Sequence, residues 1–400
     1  MTTEPFTKPE LLFQRSPEHP FHLPPELVRL REERPLARMT YPDGHEGWLA
    51  TGYDEARAVL AHPGFSNRYE LLHMPIPGVT EPVPPAPPGD FLGMDAPEHT
   101  RFRRLLAGKF TTRRIGLLAE RVREVTAERL EAMARHDSPV DLMEVYARPI
   151  PALVICDLLG VPYHDHERFQ HYANGVVLRE GTTQEDQAAA LTALHEYVGE
   201  LVLAKRANPT DDVLSELTTS DLTDEELFGL GGFLLFAGLH TTASVIGMAT
   251  FALLINPDQL AALRDHPDPA DGAVEELLRY TGIGPCTVRG ALEDVEIGGR
   301  TIKASESVAI SIDAANRDPA KFPDPDALDL RRKATGHLTF IHGVHQCLGQ
   351  HLARIELRTA LPALVNRFPG LRLAVPAAEV PMRTDSSIYE VDRLPLTWDR

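Results

Sequence analysis

Phe340-Ile341-His342-Gly343-Val344-His345-Gln346-Cys347-Leu348-Gly349-Gln350-His351 sets a lone cysteine among glycines and histidines. A helical pattern follows at once, with Leu348, Leu352, Ile355 and Leu361 on its apolar side and Arg354, Glu356 and Arg358 elsewhere. A cysteine at the mouth of a helix has its thiolate favoured by the positive end of the macrodipole and by free backbone N–H groups. Three readings are open. Cys347 is a buried structural cysteine; or it shares zinc with His342, His345 and His351, although their spacing matches no standard zinc pattern; or it is an axial thiolate for haem iron.

The flanking residues favour the last. Phe340, Gly343, His345, Cys347 and Gly349 spell Phe-x-x-Gly-x-His-x-Cys-x-Gly, which resembles the haem-binding loop of the cytochrome P-450 superfamily. One position departs from that pattern. The family usually places Gly after the Phe, where Ile341 stands here, so the first turn of the loop has to form around a β-branched residue.

Composition bounds the rest. With 400 residues, 43% of them hydrophobic, and no linker or repeat, the chain is expected to form one domain over residues 1–400. A net charge of −18 argues against general nucleic-acid binding and against docking on anionic membranes. Cys156, Cys286 and Cys347 show no pairing pattern, and the N-terminus has no apolar run for a signal peptide or anchor. A cytoplasmic protein is expected.

Three further motifs occur in the order the resemblance requires. Met94-Asp-Ala-Pro-Glu-His-Thr-Arg-Phe-Arg-Arg104 opens a helix at Asp95 and Pro97 and puts His99 and Arg103 on one face. Alone these residues read as a solvated basic face. Thr223-Asp-Glu-Glu226 is a capping box, and no Asp, Glu, Lys or Arg follows until Asp258. Such a run is long enough for a bilayer, which needs about 20 residues. Acidic flanks and the interrupting Gly231, Gly232, Gly238, His240, Thr241 and Thr242 instead indicate a helix through the centre of a large protein. Glu276 and Arg279 sit at i, i+3, able to pair.

In the family these elements have roles, and the resemblance implies the following for this chain. The fold is mainly α with a small β region, with haem between the long central helix and the Cys347 loop. Cys347 is the proximal ligand of haem b. His99, Arg103, Arg289 and His345 anchor the propionates, Phe340 packs near the haem, Gly349 lets the backbone approach it, and Gly343 belongs to the same cofactor-binding set. Ala237-Gly-Leu-His-Thr-Thr242 is similar to the distal motif Ala-Gly-x-Asp/Glu-Thr-Thr: Ala237 and Gly238 let a flat cofactor approach, and Thr241 passes protons. His240 stands where the family has an acid; an imidazole also relays protons near neutral pH, or it holds a polar group of the substrate. Glu276 and Arg279 match a structural Glu-x-x-Arg element, whose usual third partner, an arginine, falls at Ala327.

The proline-rich stretch from Gly64 to Leu92 is where the family covers its substrate entrance, and a connection that long is either disordered or functional. A turn near Ser386–Ile388 is where the family reaches into the substrate cavity. Electrons are expected from an external ferredoxin and an NAD(P)H-dependent reductase, docking on a basic patch of Arg101, Arg104, Lys109, Arg113, Arg114 and Arg354. The expected activity is a monomeric monooxygenase acting on a sizeable, mostly apolar polyketide, macrolide or terpenoid of secondary metabolism, including antibiotic biosynthesis. Set against it are the same fold with a non-hydroxylating outcome, such as aryl coupling or peroxide-driven chemistry, and a non-catalytic zinc-binding protein.

Overall fold

A computed structural model describes residues 7–13, 15–16, 18–175, 183–265, 270–383 and 388–399. The expected turn near Ser386–Ile388 lies for the most part outside them. The helices that build the site are α1 (Tyr53–Ala61), α2 (Glu98–Ala107), α3 (Ala119–Arg135), α4 (Pro149–Leu159), α5 (Gln184–Ala207), α6 (Asp224–Leu254), α7 (Ala270–Thr281) and α8 (Gln350–Arg367). The main sheet has five strands: β1 (Leu36–Thr40), β2 (Glu46–Ala50), β3 (Phe65–Ser66), β4 (Cys286–Ala291) and β5 (Ser307–Ser311), in the order β1-β2-β5-β4-β3. Only the β2–β5 pair is parallel. A small hairpin near the C-terminus pairs β6 (Met382–Arg383) with β7 (Glu390–Val391).

The central helix α6 starts as its capping box requires, with Thr223 Oγ1 accepting from Glu226 N at 3.2 Å and Glu226 Oε2 accepting from Thr223 N at 2.8 Å. It is long and apolar enough to cross a bilayer, yet it is spent on the interior. Leu227, Leu230, Leu234 and Leu235 are buried among residues of α4 and α5; every residue from Thr242 to Leu253 is buried, and the apolar ones pack with side chains from α3, α7 and α8. Between these two cores, Phe236 to Thr241 includes no buried residue, and Phe236 is 46% exposed. Full burial of a Phe is worth about 1.5–3 kcal/mol, so this interruption forfeits stability in the middle of a long apolar helix.

Two helical stretches are divided. Residues 112–135 form Thr112–Gly116 followed by α3, and residues 143–159 form a π-helical turn, Met143–Ala147, followed by α4. The proline-rich segment is not loose at its end. Gly89 (φ +89°) lies against the backbone of α6, where a Cβ would come 2.3 Å from Leu230 N, and a Cβ on Gly229 would meet Pro88 O. Phe91 then packs on Phe233 with ring centroids 5.0 Å apart.

Glu276 and Arg279 pair as expected, at 2.7 and 2.8 Å, and are 0% and 1% exposed. The third partner, which the alignment of motifs placed at Ala327, is Arg332: its Nε lies 3.1 Å from Glu276 Oε1. Ala327 contributes only its carbonyl, 3.2 Å from Arg332 and 3.4 Å from Arg279. The cluster joins α7 to the coil that leads into the cysteine loop.

Candidate active site

The cysteine loop is a series of tight backbone bonds. Ile341 N donates to Leu338 O at 2.8 Å, Gln346 N to Gly343 O at 3.0 Å and Cys347 N to Phe340 O at 2.9 Å. Gly343 is required twice over: its φ is +82°, and a Cβ would come 2.4 Å from Leu60 O at the end of α1. At Gly349 the reverse holds, since a Cβ there would meet no atom within 4 Å. Ile341 makes the turn that a glycine usually makes, at φ +59°. Its side chain packs on the cluster of Trp48, Val59, Leu60 and Leu338, which offsets about 1–2 kcal/mol of left-handed strain. We expect Ile341→Ala, which keeps the strain and loses the packing, to be less stable than Ile341→Gly by about 1 kcal/mol in urea unfolding, the reverse of the ordinary order.

Cys347 enters α8 as the helix-mouth argument expects, with the N–H groups of Gly349 and Gln350 on its sulfur and Arg103 and Arg354 nearby. The expected thiolate preference does not follow from these donors alone. Burial pushes the thiol up, and it outweighs them. Arg354 is spoken for: it spans Glu275 at 2.6 and 2.9 Å and lies 4.5 Å over the Phe340 ring. His342, His345, Cys347 and His351 do not form a zinc site; among the described residues no group of three or more His, Cys, Asp and Glu could hold a metal ion.

The predicted propionate partners come together from three elements. His99 and Arg103 are on α2, Arg289 on β4 and His345 on the loop. The His99 and His345 rings stand 4.2 Å apart, and Nε2 of His99 is buried with no hydrogen-bond partner. Arg289 is 4% exposed, bonded to Asn67 Oδ1 at 2.6 Å and Val288 O at 2.7 Å, with no ion pair among the described residues. The nearest acid, Asp95, is taken by Asn67 N at 3.0 Å and by Ser66 Oγ at 2.5 Å. Burial lowers Arg289 to about 10. Burial, and then the proximity of His99, Arg289 and Arg103, pushes His345 down to about 3. Arg103 makes no hydrogen bond or ion pair among the described residues. Buried cations without carboxylates are costly, and this set lacks the anion that a haem's two propionates would provide. With the cysteine sulfur and the open face at Gly349, the residues present fit haem.

On the distal side, Thr241 is exposed and its hydroxyl donates to Ala237 O at 2.8 Å. Ala237 is half-buried in the interruption of α6. At Gly238 a Cβ would come 3.0 Å from Ile155 Cδ1, so its small size also suits the approach of α4. His240 Nε2 lies 3.1 Å from Glu390 Oε1. The sequence gives no sign of this acid, which arrives from β7 at the far end of the chain.

The chain's neighbours agree with this geometry. The family described as Cytochrome P450 matches over residues 270–386. Cytochrome P450 105C1 from a Streptomyces species is 47% identical over 95% of this chain and 97% of its own length. Pentalenic acid synthase from Streptomyces avermitilis is 40% identical over 99% and 100%. The crystal structure of CYP105P1 in complex with filipin I superposes with a TM-score of 0.89 at 40% identity, covering 99% of both chains. A cysteine near an arginine, Arg103, that lacks a carboxylate partner among the described residues, a long helix carrying Ala-Gly-x-His-Thr-Thr, and relatives alike over their whole length place this chain in the cytochrome P450 family.

Proposed function

We propose that this cytochrome P450 monooxygenase inserts one oxygen atom from O2 into a sizeable, mostly apolar secondary metabolite, by hydroxylation or epoxidation. The observation that carries the reading is the set His99, Arg103, Arg289 and His345, cationic or donor groups left without an acid beside Cys347. Haem b bound there supplies dioxygen activation and oxygen-atom transfer. Cys347 would ligate the iron, with the N–H groups of Gly349 and Gln350 steadying its sulfur. Phe340, clamped under Arg354, and Gly343, seated on α1, would hold the loop in place. Thr241, with His240 beside it, would hold and pass protons on the opposite face. Pentalenic acid synthase and the filipin I complex support a polyketide, macrolide or terpenoid as substrate.

The reading takes residues 1–400 as one catalytic domain, monomeric and cytoplasmic, reduced by an external ferredoxin and an NAD(P)H-dependent reductase. The docking patch is narrower than the sequence implies. Arg101 is paired with Glu226 at 2.6 Å, Lys109 and Arg114 with Glu216 at 2.7 and 3.0 Å, and Arg354 with Glu275. Arg104 and Arg113 are exposed and without carboxylates among the described residues. Reversing both to Glu should slow reduction by an acidic ferredoxin about tenfold at low salt and flatten its salt dependence; unchanged stopped-flow rates would place docking elsewhere.

The decisive test is optical. The reduced, carbon monoxide-bound protein should show a thiolate-type Soret band, and Cys347→Ala should abolish it. A colourless protein would sink the proposal. Isotopic dioxygen then separates monooxygenation, which puts one labelled atom in product, from aryl coupling or peroxide-driven chemistry.

A further inference from the structure

The acid missing from α6 has a counterpart across the fold. Glu390 is 2% exposed and stands cross-strand from Arg383, whose guanidinium reaches it at 3.1 Å. Oε1 takes the His240 ring at Nε2, 3.1 Å away, and the other oxygen takes Ser244 Oγ. The same hydroxyl oxygen lies 2.8 Å from His240 O, so acid, ring and helix backbone are tied at one point. Burial pushes the Glu390 carboxyl up, but the bonds from His240 and Ser244 and the charge of Arg383 outweigh it and favour the carboxylate. An acceptor-only carboxylate at Nε2 requires the proton to be on Nε2. Nδ1 then carries the lone pair of the neutral ring, and it has no hydrogen-bond partner among the described residues.

We infer that Glu390 is the positioning residue of His240: it holds the imidazole through Nε2 and leaves Nδ1 as its proton-exchanging atom. The pair thus does across two elements what a carboxylate on the helix would do alone. The proton count closes without electrons. Nδ1 takes one proton from solvent water, whose hydroxide the buffer neutralises, giving an imidazolium bonded to the Glu390 carboxylate, and releases that same proton toward Thr241 and the site, while Nε2–H stays in place. Of the other groups around this point, Arg383 and Asp392 belong to the hairpin, 3.5 Å from each other. Glu356 of α8, bonded to Thr242, is pushed up to about 8 by burial, which favours its neutral form. The carboxylate bonded to the ring is that of Glu390.

The inference rests on the haem reading, and its test separates the two. In the ferrous, carbon monoxide-bound holoenzyme labelled with [15N]histidine, the His240 signals are assigned by their loss in His240→Gln. The expected result is a single tautomer protonated at Nε2. Glu390→Gln should give both tautomers and about a 10-fold loss in the oxygen reduced to water, relative to peroxide, by substrate-free enzyme fed with NADH, ferredoxin and reductase; Glu390→Asp should restore both in part. A ring protonated at Nδ1 in the wild type overturns the inference, and this holds even if Glu390→Gln fails to fold. A Glu390→Gln enzyme with wild-type tautomer and wild-type water yield also overturns it. A missing Soret shift in the wild type would sink the haem reading instead, while the tautomer of His240 could still be read in the apoprotein.

Discussion

Glu276→Ala should destabilise this protein by about 3–5 kcal/mol, with or without cofactor. The carboxylate receives Arg279 through two bonds, Arg332 through a third and Asp329 N at 3.1 Å, and the Glu276–Arg279 pair itself is cut off from water. Removing it strands two guanidinium groups. Breaking a buried pair from one side costs about 3–5 kcal/mol, because the remaining charge stays desolvated. Against a total stability of about 5–15 kcal/mol, that is a large share, and the loss falls on the coil that delivers Phe340 and Cys347. Arg332→Ala should cost less. Its side chain is 11% exposed, and Glu276 keeps both bonds to Arg279. Urea unfolding of the two variants checks the order, and a Glu276/Arg279 double-mutant cycle should return a coupling of about 0.5–3 kcal/mol. Equal midpoints for Glu276→Ala and wild type would show that the cluster is not where the fold is anchored.

Local patterns carried the scaffold of this site. The capping box at Thr223 marks the start of α6 because its two bonds join residues three apart, and Glu276 and Arg279 are legible for the same reason. Cys347 is legible from the residues spaced around it, of which Gly343 has a conformation the loop demands. What stayed hidden is long-range. Nothing near Arg332 announces that it replaces an arginine expected at Ala327; the coil between them sets the register. Nothing in the last residues of the chain announces Glu390, which meets His240 only because β7 pairs with β6 beside α6. The acidic partners Glu216, Glu226 and Glu275 were likewise invisible, so the basic stretch from Arg101 to Arg114 read as more positive than it is. Gly238 carries a contact that its motif does not announce: a Cβ there would press on Ile155 of α4.

Arg289→Met should separate the needs of the cofactor from those of the fold. In the protein alone, Arg289 is a cation in a dry site, bonded to Asn67 and Val288 and lowered to about 10 by burial. Replacing a poorly paired buried charge by an apolar side chain of similar length removes a desolvation cost, though it leaves Asn67 Oδ1 without its donor, a loss of about 1–3 kcal/mol. The two effects oppose, and the apoprotein should unfold within about 1 kcal/mol of wild type. The holoprotein has no such compensation. A hydrogen bond from a guanidinium to a carboxylate is worth about 1.5–3 kcal/mol, so haem retention should fall roughly 10- to 150-fold. Arg289→Lys, which keeps the charge and loses the planar fork, should fall between the two. Haem transfer to an excess of apomyoglobin measures the first quantity and urea unfolding of the apoprotein the second. If Arg289→Met destabilised the apoprotein by several kcal/mol and left haem transfer unchanged, the arginine would be a structural residue of β4, and the cationic cluster would lose its largest contributor.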